Sequence, residues 1–151
     1  MKNNPLRKRV GAMLVATGVL SRGLSLQTFT EKGFDITPEQ YLILSLLVEN
    51  GELYQRQISE LTYKDRPNVS RIINILEEKD LVKRIPDSNG RQIYKIIVTD
   101  KGRKLREKIH PVTVEIRKIV TEGIAKEDLE KCLGILGQML ENMKDKVNLQ
   151  I

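Results

Sequence analysis

The sequence predicts a mainly α-helical protein with one small β-hairpin. Apolar residues recur at helical spacing in six segments of the chain. Two short stretches rich in β-branched residues, 81–85 and 93–98, enclose a turn sequence at 86–90 in which Asn89-Gly90 favours a hairpin. A chain of 151 residues with 40% hydrophobic residues accommodates these elements as one domain with helical attachments.

The first segment is interpreted as an amphipathic helix, although it also resembles a secretory signal. Basic residues at 2 and 7–9 precede the apolar run 10–20, but that run is shorter than the roughly 20 residues that span a bilayer. Arg22 follows at once, without a small-residue cleavage pattern. The apolar positions instead continue at helical spacing through Leu6, Val10, Met13, Leu14, Thr17, Leu20 and Leu24. We therefore expect a cytoplasmic protein without a membrane segment, which a single cysteine also favours.

The second helix has clear start and stop residues. Thr37 is its predicted N-cap, Pro38 suits the first helical position and Gln40 completes a capping box. Asn50-Gly51 is predicted to end it, because glycine favours the left-handed conformation found after helices. A short third helix is expected around 55–62.

The fourth helix is predicted to begin at Pro67, with Arg66 as its N-cap. Its apolar stripe falls at the spacing of one buried helix face and comprises Val69, Ile72, Ile73 and Leu76. The remaining faces are polar and carry Asn68, Ser70, Arg71, Asn74 and Glu78.

Two long amphipathic helices follow the hairpin, the first capped by Thr99 and expected to kink at His110-Pro111, the second beginning near Lys126. The element order predicts a winged helix-turn-helix domain at 36–100. Helices at 1–35 and 101–151 flank this domain, and their apolar stripes are too extensive to be buried entirely against so small a domain. We expect these flanking helices to bury their stripes against a second copy of the chain, forming a homodimer.

The charge and composition of the chain limit the classes of function that it can have. Lys and Arg number 26 against 20 Asp and Glu, and the excess lies in residues 1–36 and 64–99, which favours a polyanionic partner. The chain has one Cys, one His and no Trp, and its serines are scattered. We therefore expect no enzyme activity, no metal site and no cofactor.

The stretch Asp65 to Arg84 resembles the MarR family of bacterial transcription regulators, whose pattern there is roughly D-x-x-x-V-[ST]-R-x-x-x-x-L-E-x-K-G-L-V-x-R. Residues 98–102, Val-Thr-Asp-Lys-Gly, match its later L-T-x-x-G. The resemblance implies a homodimeric, sequence-specific DNA-binding regulator, more often a repressor, released by a small aromatic or lipophilic effector. It places a recognition helix at about 66–79 in the major groove and a wing at about 85–93 in the minor groove. The rival interpretation is a winged-helix module that docks protein or RNA without reading bases.

Side chains near the start of a recognition helix reach base edges, so Asn68 is expected to pair with adenine and Arg71 with guanine. Ser70 and the helix N-terminus suit phosphate. The family pattern places the wing-tip arginine seven residues before the threonine, whereas Arg91 lies eight residues before Thr99, so either the wing holds one extra residue or Gln92 occupies the arginine position. The full expected DNA-binding set is Lys64, Arg66, Pro67, Asn68, Ser70, Arg71, Asn74, Asn89 and Arg91, with Lys83, Arg84 and Lys95 as further backbone neutralisers.

Other candidate residues have weaker support. An effector pocket is expected near Met13, Thr17, Tyr41 and Leu44. Cys132 is interpreted as a small packed residue and His110 as a neighbour of the helix kink or an interface residue. The acidic group Glu77, Glu78 and Asp80 is interpreted as solvated, and Asp80 replaces the family's usual glycine.

Overall fold

The computed structural model describes residues 5–87 and 94–147. A 3-10 turn at Pro5–Lys8 precedes α1 (Val10–Glu31) and α2 (Pro38–Asn50). The middle of the chain forms β1 (Leu53–Tyr54), α3 (Gln55–Thr62), α4 (Arg66–Glu78), β2 (Val82–Pro86) and β3 (Tyr94–Val98). Two long helices complete it, α5 (Asp100–Val120) and α6 (Lys126–Lys144). The mainly α fold with a small β wing is confirmed.

Helix α1 is longer than the apolar run that predicts it. Its 22 residues make it long and apolar enough to cross a membrane by length and composition. However, its C-terminal half packs into the fold, where Phe29 is 1% exposed and contacts the Tyr41 ring of α2 edge-on. Arg22 also binds Glu39 of α2. The run 10–20 alone therefore underestimates the helix, while these contacts tie α1 to the rest of the domain.

The predicted ends of α2 are confirmed. Thr37 Oγ1 accepts a hydrogen bond from the Gln40 backbone N–H at 3.2 Å, and the Thr37 N–H donates to Gln40 Oε1 at 3.1 Å. This is the expected capping box. Gly51 follows the helix with φ of +78°, a conformation that side chains disfavour.

The start of α4 differs from the prediction. The helix begins at Arg66, and its N-cap is Asp65, whose Oδ1 accepts a hydrogen bond from the Asn68 N–H at 2.7 Å. An aspartate carboxylate can accept this bond whereas arginine has no acceptor, so Arg66 was the wrong choice of cap. Pro67 lies in the first turn, where its missing N–H costs nothing.

The sheet contains a strand that the sequence pattern did not reveal. Its three strands are antiparallel in the order β1-β3-β2, with Leu53 opposite Ile96 and Val82 opposite Val98. The two-residue β1 comes directly before α3 and is too short to show an alternating pattern. Asn89-Gly90 of the predicted turn lies outside the described residues.

The C-terminal helices behave differently. α5 continues through Pro111 as one helix and buries Ile109, Val112 and Ile116 in the core. α6 lies entirely within the described part of the chain, yet none of its residues is buried. The core is therefore built by α1 to α5 and the sheet, and α6 contributes no buried residue to it.

The end of α4 and the start of α5 meet in one tight joint. Thr99 caps α5 by accepting from the Gly102 N–H at 3.1 Å, and its hydroxyl donates to the Asp80 carbonyl at 2.8 Å. The Thr99 N–H donates to the Leu81 carbonyl at 3.1 Å. A Cβ on Gly102 would overlap that carbonyl and lie 2.8 Å from Val98 Cγ2. Residue 102 must therefore be a glycine for α5 to pack this closely.

Candidate nucleic-acid interface

Helix α4 divides into a buried face and a polar exposed face. Val69, Ile72, Ile73 and Leu76 are buried, as their spacing predicts. The opposite face is exposed at Arg66, Pro67, Arg71 and Asn74 and half-buried at Ser70. The major groove of DNA admits an α-helix, and this face carries the hydrogen-bond donors that reading bases needs.

Asn68 and Arg71 lie towards one edge of that face. Asn68 is half-buried, and its Oδ1 accepts a long hydrogen bond of 3.4 Å from Arg71 Nη2. Lys64, in the turn before α4, is also half-buried. Within the described residues neither Lys64 nor Arg71 forms an ion pair. Their charges are therefore available to an anionic partner.

Asn74 and Arg84 are held in a contact that the sequence analysis missed. The Arg84 guanidinium pairs with Glu77, and its Nη2 donates to Asn74 Oδ1 at 2.6 Å. The Arg84 N–H also donates to Glu77 Oε1 at 3.2 Å. Arg84 is thus neutralised locally, in contrast to the expectation that it meets the DNA backbone. Asn74 keeps its amide N–H₂ group available on the exposed face, and Lys83 is exposed.

A second polar cluster fixes the base of the wing. The Tyr54 hydroxyl donates to Asp87 Oδ2 at 3.0 Å, and this bond raises the pKa of Tyr54. Lys95 Nζ lies 3.0 Å from Glu52 Oε1 and 5.7 Å from the centre of the Tyr54 ring. The Glu52 contact raises the Lys95 pKa, so Lys95 stays charged but paired, unlike the free neutraliser expected. Asn89, Arg91 and Gln92 lie outside the described residues.

Glu39, at the start of α2, lines a groove together with Asn68 and Arg71 of α4, and its pKa is shifted. Burial is the largest single influence and raises its pKa, but the hydrogen bond from Arg22, the backbone N–H of Glu39, the charge of Arg22 and the Thr37 hydroxyl together lower the pKa by more. The net pKa lies below the ordinary value of 4.5. Arg22 and Glu39 therefore form a charged pair, with Nε and Oε1 2.5 Å apart.

The four residues expected to bind an effector do not line a common cavity. Met13 and Thr17 lie on a groove of about 710 Å³ between α1 and α6, in the described part of the chain. Leu44 is fully buried in the core and Tyr41 packs against Phe29. The helical spacing in α1 and α2 did not reveal that these two pairs of residues have different surroundings in the single chain, and the effector pocket stays a prediction.

The remaining candidates are exposed. Cys132 lies on the same groove between α1 and α6, and it is exposed in the single chain, contrary to its interpretation as a packed residue. His110 is exposed on α5. Glu77 is engaged with Arg84, and the described residues contain no cluster of three metal-ligating side chains. Asp80 has φ of +56°, a backbone conformation that favours glycine, the residue that the family pattern quoted above has at this position.

Comparison with known proteins shows which family has this combination of a polar recognition helix and a wing. A sequence model of the MarR family matches residues 34–93, the segment from the end of α1 to the wing. The winged-helix segment 34–93 belongs to the MarR family. It forms the winged helix-turn-helix of a DNA-binding family of transcriptional regulators.

Relatives match over most of the chain. The HTH-type transcriptional regulator YybA of Bacillus subtilis is 27% identical over 128 residues, covering 84% of this chain and 85% of YybA. A mutant MarR from E. coli, solved with operator DNA, is 16% identical with a TM-score of 0.80, over 91% of this chain and 99% of that one. Bordetella bronchiseptica BpsR, whose DNA binding is regulated by 6-hydroxynicotinic acid, is 21% identical with a TM-score of 0.80, over 87% and 92%.

Proposed function

We propose that this protein is a MarR-family homodimer that binds a pseudopalindromic operator, with α4 in the major groove and the wing in the minor groove. The main support is the polar face of α4, which carries the exposed side chains of Arg71 and Asn74 and the half-buried side chain of Ser70. Two such helices in one dimer would read half-sites about 10 base pairs apart. The E. coli MarR complex with operator DNA, which shares this fold, supports the arrangement.

The flanking segments 1–35 and 101–151 form the dimer in this proposal, and 36–100 binds DNA. Large apolar side chains stand exposed along α1, α5 and α6 of the single chain, at Val15, Val19, Leu20, Ile119, Leu133 and Ile135 among others. Leu20 is 73% exposed and Leu133 is 69% exposed. An apolar surface spread over three helices is unusual for a monomer and is explained by a second copy that covers it. Burial of this surface in a dimer would also explain why α1 is so apolar without requiring that it cross a membrane. The proposal therefore places the protein in the cytoplasm.

The proposal includes repression and its release by a small aromatic or lipophilic molecule. BpsR provides the support, because its regulation by 6-hydroxynicotinic acid shows that this fold can couple an aromatic ligand to DNA binding. A ligand needs to favour the non-binding geometry by only about 1–3 kcal/mol to release DNA.

The test combines oligomeric state and DNA affinity. Light scattering should give about twice the 17.3 kDa chain mass. Fluorescence anisotropy at about 150 mM salt should show tight binding to a duplex enriched from a random library, and weak binding to its scrambled version. Equal binding to both duplexes, or enrichment of RNA alone, would favour the interaction module and contradict base reading.

A further inference from the structure

A groove of about 290 Å³ lies along one flank of α4, between the recognition helix and the start of α2. On α4 it is lined by Asn68, Arg71 and Ile75, whose spacing of three and four residues puts them on one side of the helix. The other flank, at Arg66, meets α3, where Gln55 Nε2 donates to the Arg66 carbonyl at 3.2 Å. The two flanks of the recognition helix thus face different neighbours.

The groove is cationic. Arg22 of α1, Lys64 of the turn and Arg71 of α4 line it together with a single acidic residue, Glu39. Glu39 is paired with Arg22, whereas Lys64 and Arg71 make no ion pair in the described residues. The lining therefore carries a net positive charge beside the helix that is proposed to enter DNA.

We infer that this groove receives a phosphate of the DNA backbone and that Arg22 is one of the residues that bind it. The inference rests on the proposed function. A helix in the major groove has a phosphate strand on each side of it, about 12 Å apart. The α3 flank faces one strand, and the groove with Arg22 faces the other. Arg22 would thus extend the DNA-binding surface from the winged domain onto α1, which sequence analysis assigned to dimerisation alone.

Glu39 makes the inference testable, because a carboxylate next to a phosphate opposes binding. If Arg22 binds phosphate, Glu39→Gln should tighten DNA binding about 2- to 5-fold by removing a like charge. If Arg22 serves only to neutralise Glu39, then Arg22→Gln should have no effect once Glu39 has been replaced. A double-mutant cycle between these residues separates the two roles.

The experiment uses the full-length protein and a duplex that the wild type enriches from a random library, with affinity measured between about 50 and 200 mM KCl. Losing one phosphate contact lowers the slope of log affinity against log salt by about 0.9. The ratio of wild-type to Arg22→Gln affinity should therefore be about 3.5-fold smaller at 200 mM than at 50 mM KCl. The same decrease in slope should appear when Arg22→Gln/Glu39→Gln is compared with Glu39→Gln. Arg117→Gln, an equal charge change on the exposed far end of α5, should keep the wild-type slope.

Two results would overturn the inference. If the wild type discriminates its duplex from scrambled DNA but Arg22→Gln/Glu39→Gln has the same salt slope as Glu39→Gln, the proposed function stands and the phosphate contact is wrong. If the wild type enriches no duplex, the proposed function fails and the inference fails with it. Thermal melting of each variant, followed by circular dichroism, confirms that the compared proteins are folded.

Discussion

Gly102→Ala is expected to destabilise the joint between the recognition helix and α5. The added Cβ would overlap the Leu81 carbonyl and approach Val98 Cγ2 to 2.8 Å. Because the nearer obstacle is backbone, relief requires α5 to move, and overpacking of this kind costs about 3 kcal/mol. The displaced carbonyl also weakens its hydrogen bond from the Thr99 N–H, worth about 1 kcal/mol. The higher helix propensity of alanine offsets about 1 kcal/mol of this cost, so the free energy of unfolding should fall by about 3 kcal/mol in total.

Urea unfolding followed by circular dichroism measures this loss, with every protein at one fixed concentration because a dimer's stability depends on it. With a slope of about 2 kcal/mol per molar urea, the midpoint should fall by about 1.5 M. Gly23→Ala is the matched control, since Gly23 is exposed on α1 and an added Cβ meets nothing within 4 Å. The free energy of unfolding of Gly23→Ala should rise by up to about 1 kcal/mol, because alanine has a higher helix propensity than glycine. If Gly102→Ala gained stability as the control does, the steric account of the joint would be refuted.

Three further changes test other contacts. Asp65→Ala removes the N-cap of α4 and should lower the unfolding free energy by about 1 kcal/mol in the same urea assay, whereas an unchanged midpoint would mean that the cap is replaceable. Asp80→Gly relieves a residue at φ +56° and should raise the melting temperature, equivalent to about 0.5–1 kcal/mol; a lower melting temperature would contradict this strain. The pKa of Glu39 is lowered in the folded chain, so its stabilising contribution is present above the ordinary value of 4.5 and is lost as pH falls through the lower folded pKa. Unfolding of Glu39→Gln should therefore depend less steeply on pH than the wild type between about pH 5 and 3, and parallel curves would count against the Arg22–Glu39 pair.

Local patterns predicted much of the fold. The capping box of α2 and the buried stripe of α4 involve residues within one or two turns, so their spacing alone specifies them. The N-cap of α4 was misplaced by one residue, because the proline rule was given more weight than the acceptor on Asp65. Strand β1 was missed because two residues show no period, and it forms only by pairing with β3.

The surroundings of individual polar residues were harder to predict. Arg84 contacts Glu77 and Asn74 because the chain reverses direction between α4 and β2. The sequence alone does not single out Arg84 among the many Lys and Arg residues that could have contacted these two side chains. Likewise, Arg22 and Glu39 are 17 residues apart and meet only through the packing of α1 on α2. Spacing identified the residues of the recognition helix, but only the packing of the helices brought them next to Arg22.

The most direct test of the central claim is a selection of DNA sites from a random library by wild type, Arg71→Ala and Arg117→Gln. We expect the wild type to select a pseudopalindromic consensus and Arg117→Gln to select the same one. Arg71→Ala should lose the preference for one base in each half-site, a change of about 1–3 kcal/mol in discrimination. An identical consensus from Arg71→Ala and wild type would contradict base reading by this residue, and the absence of any consensus from the wild type would contradict the regulator itself.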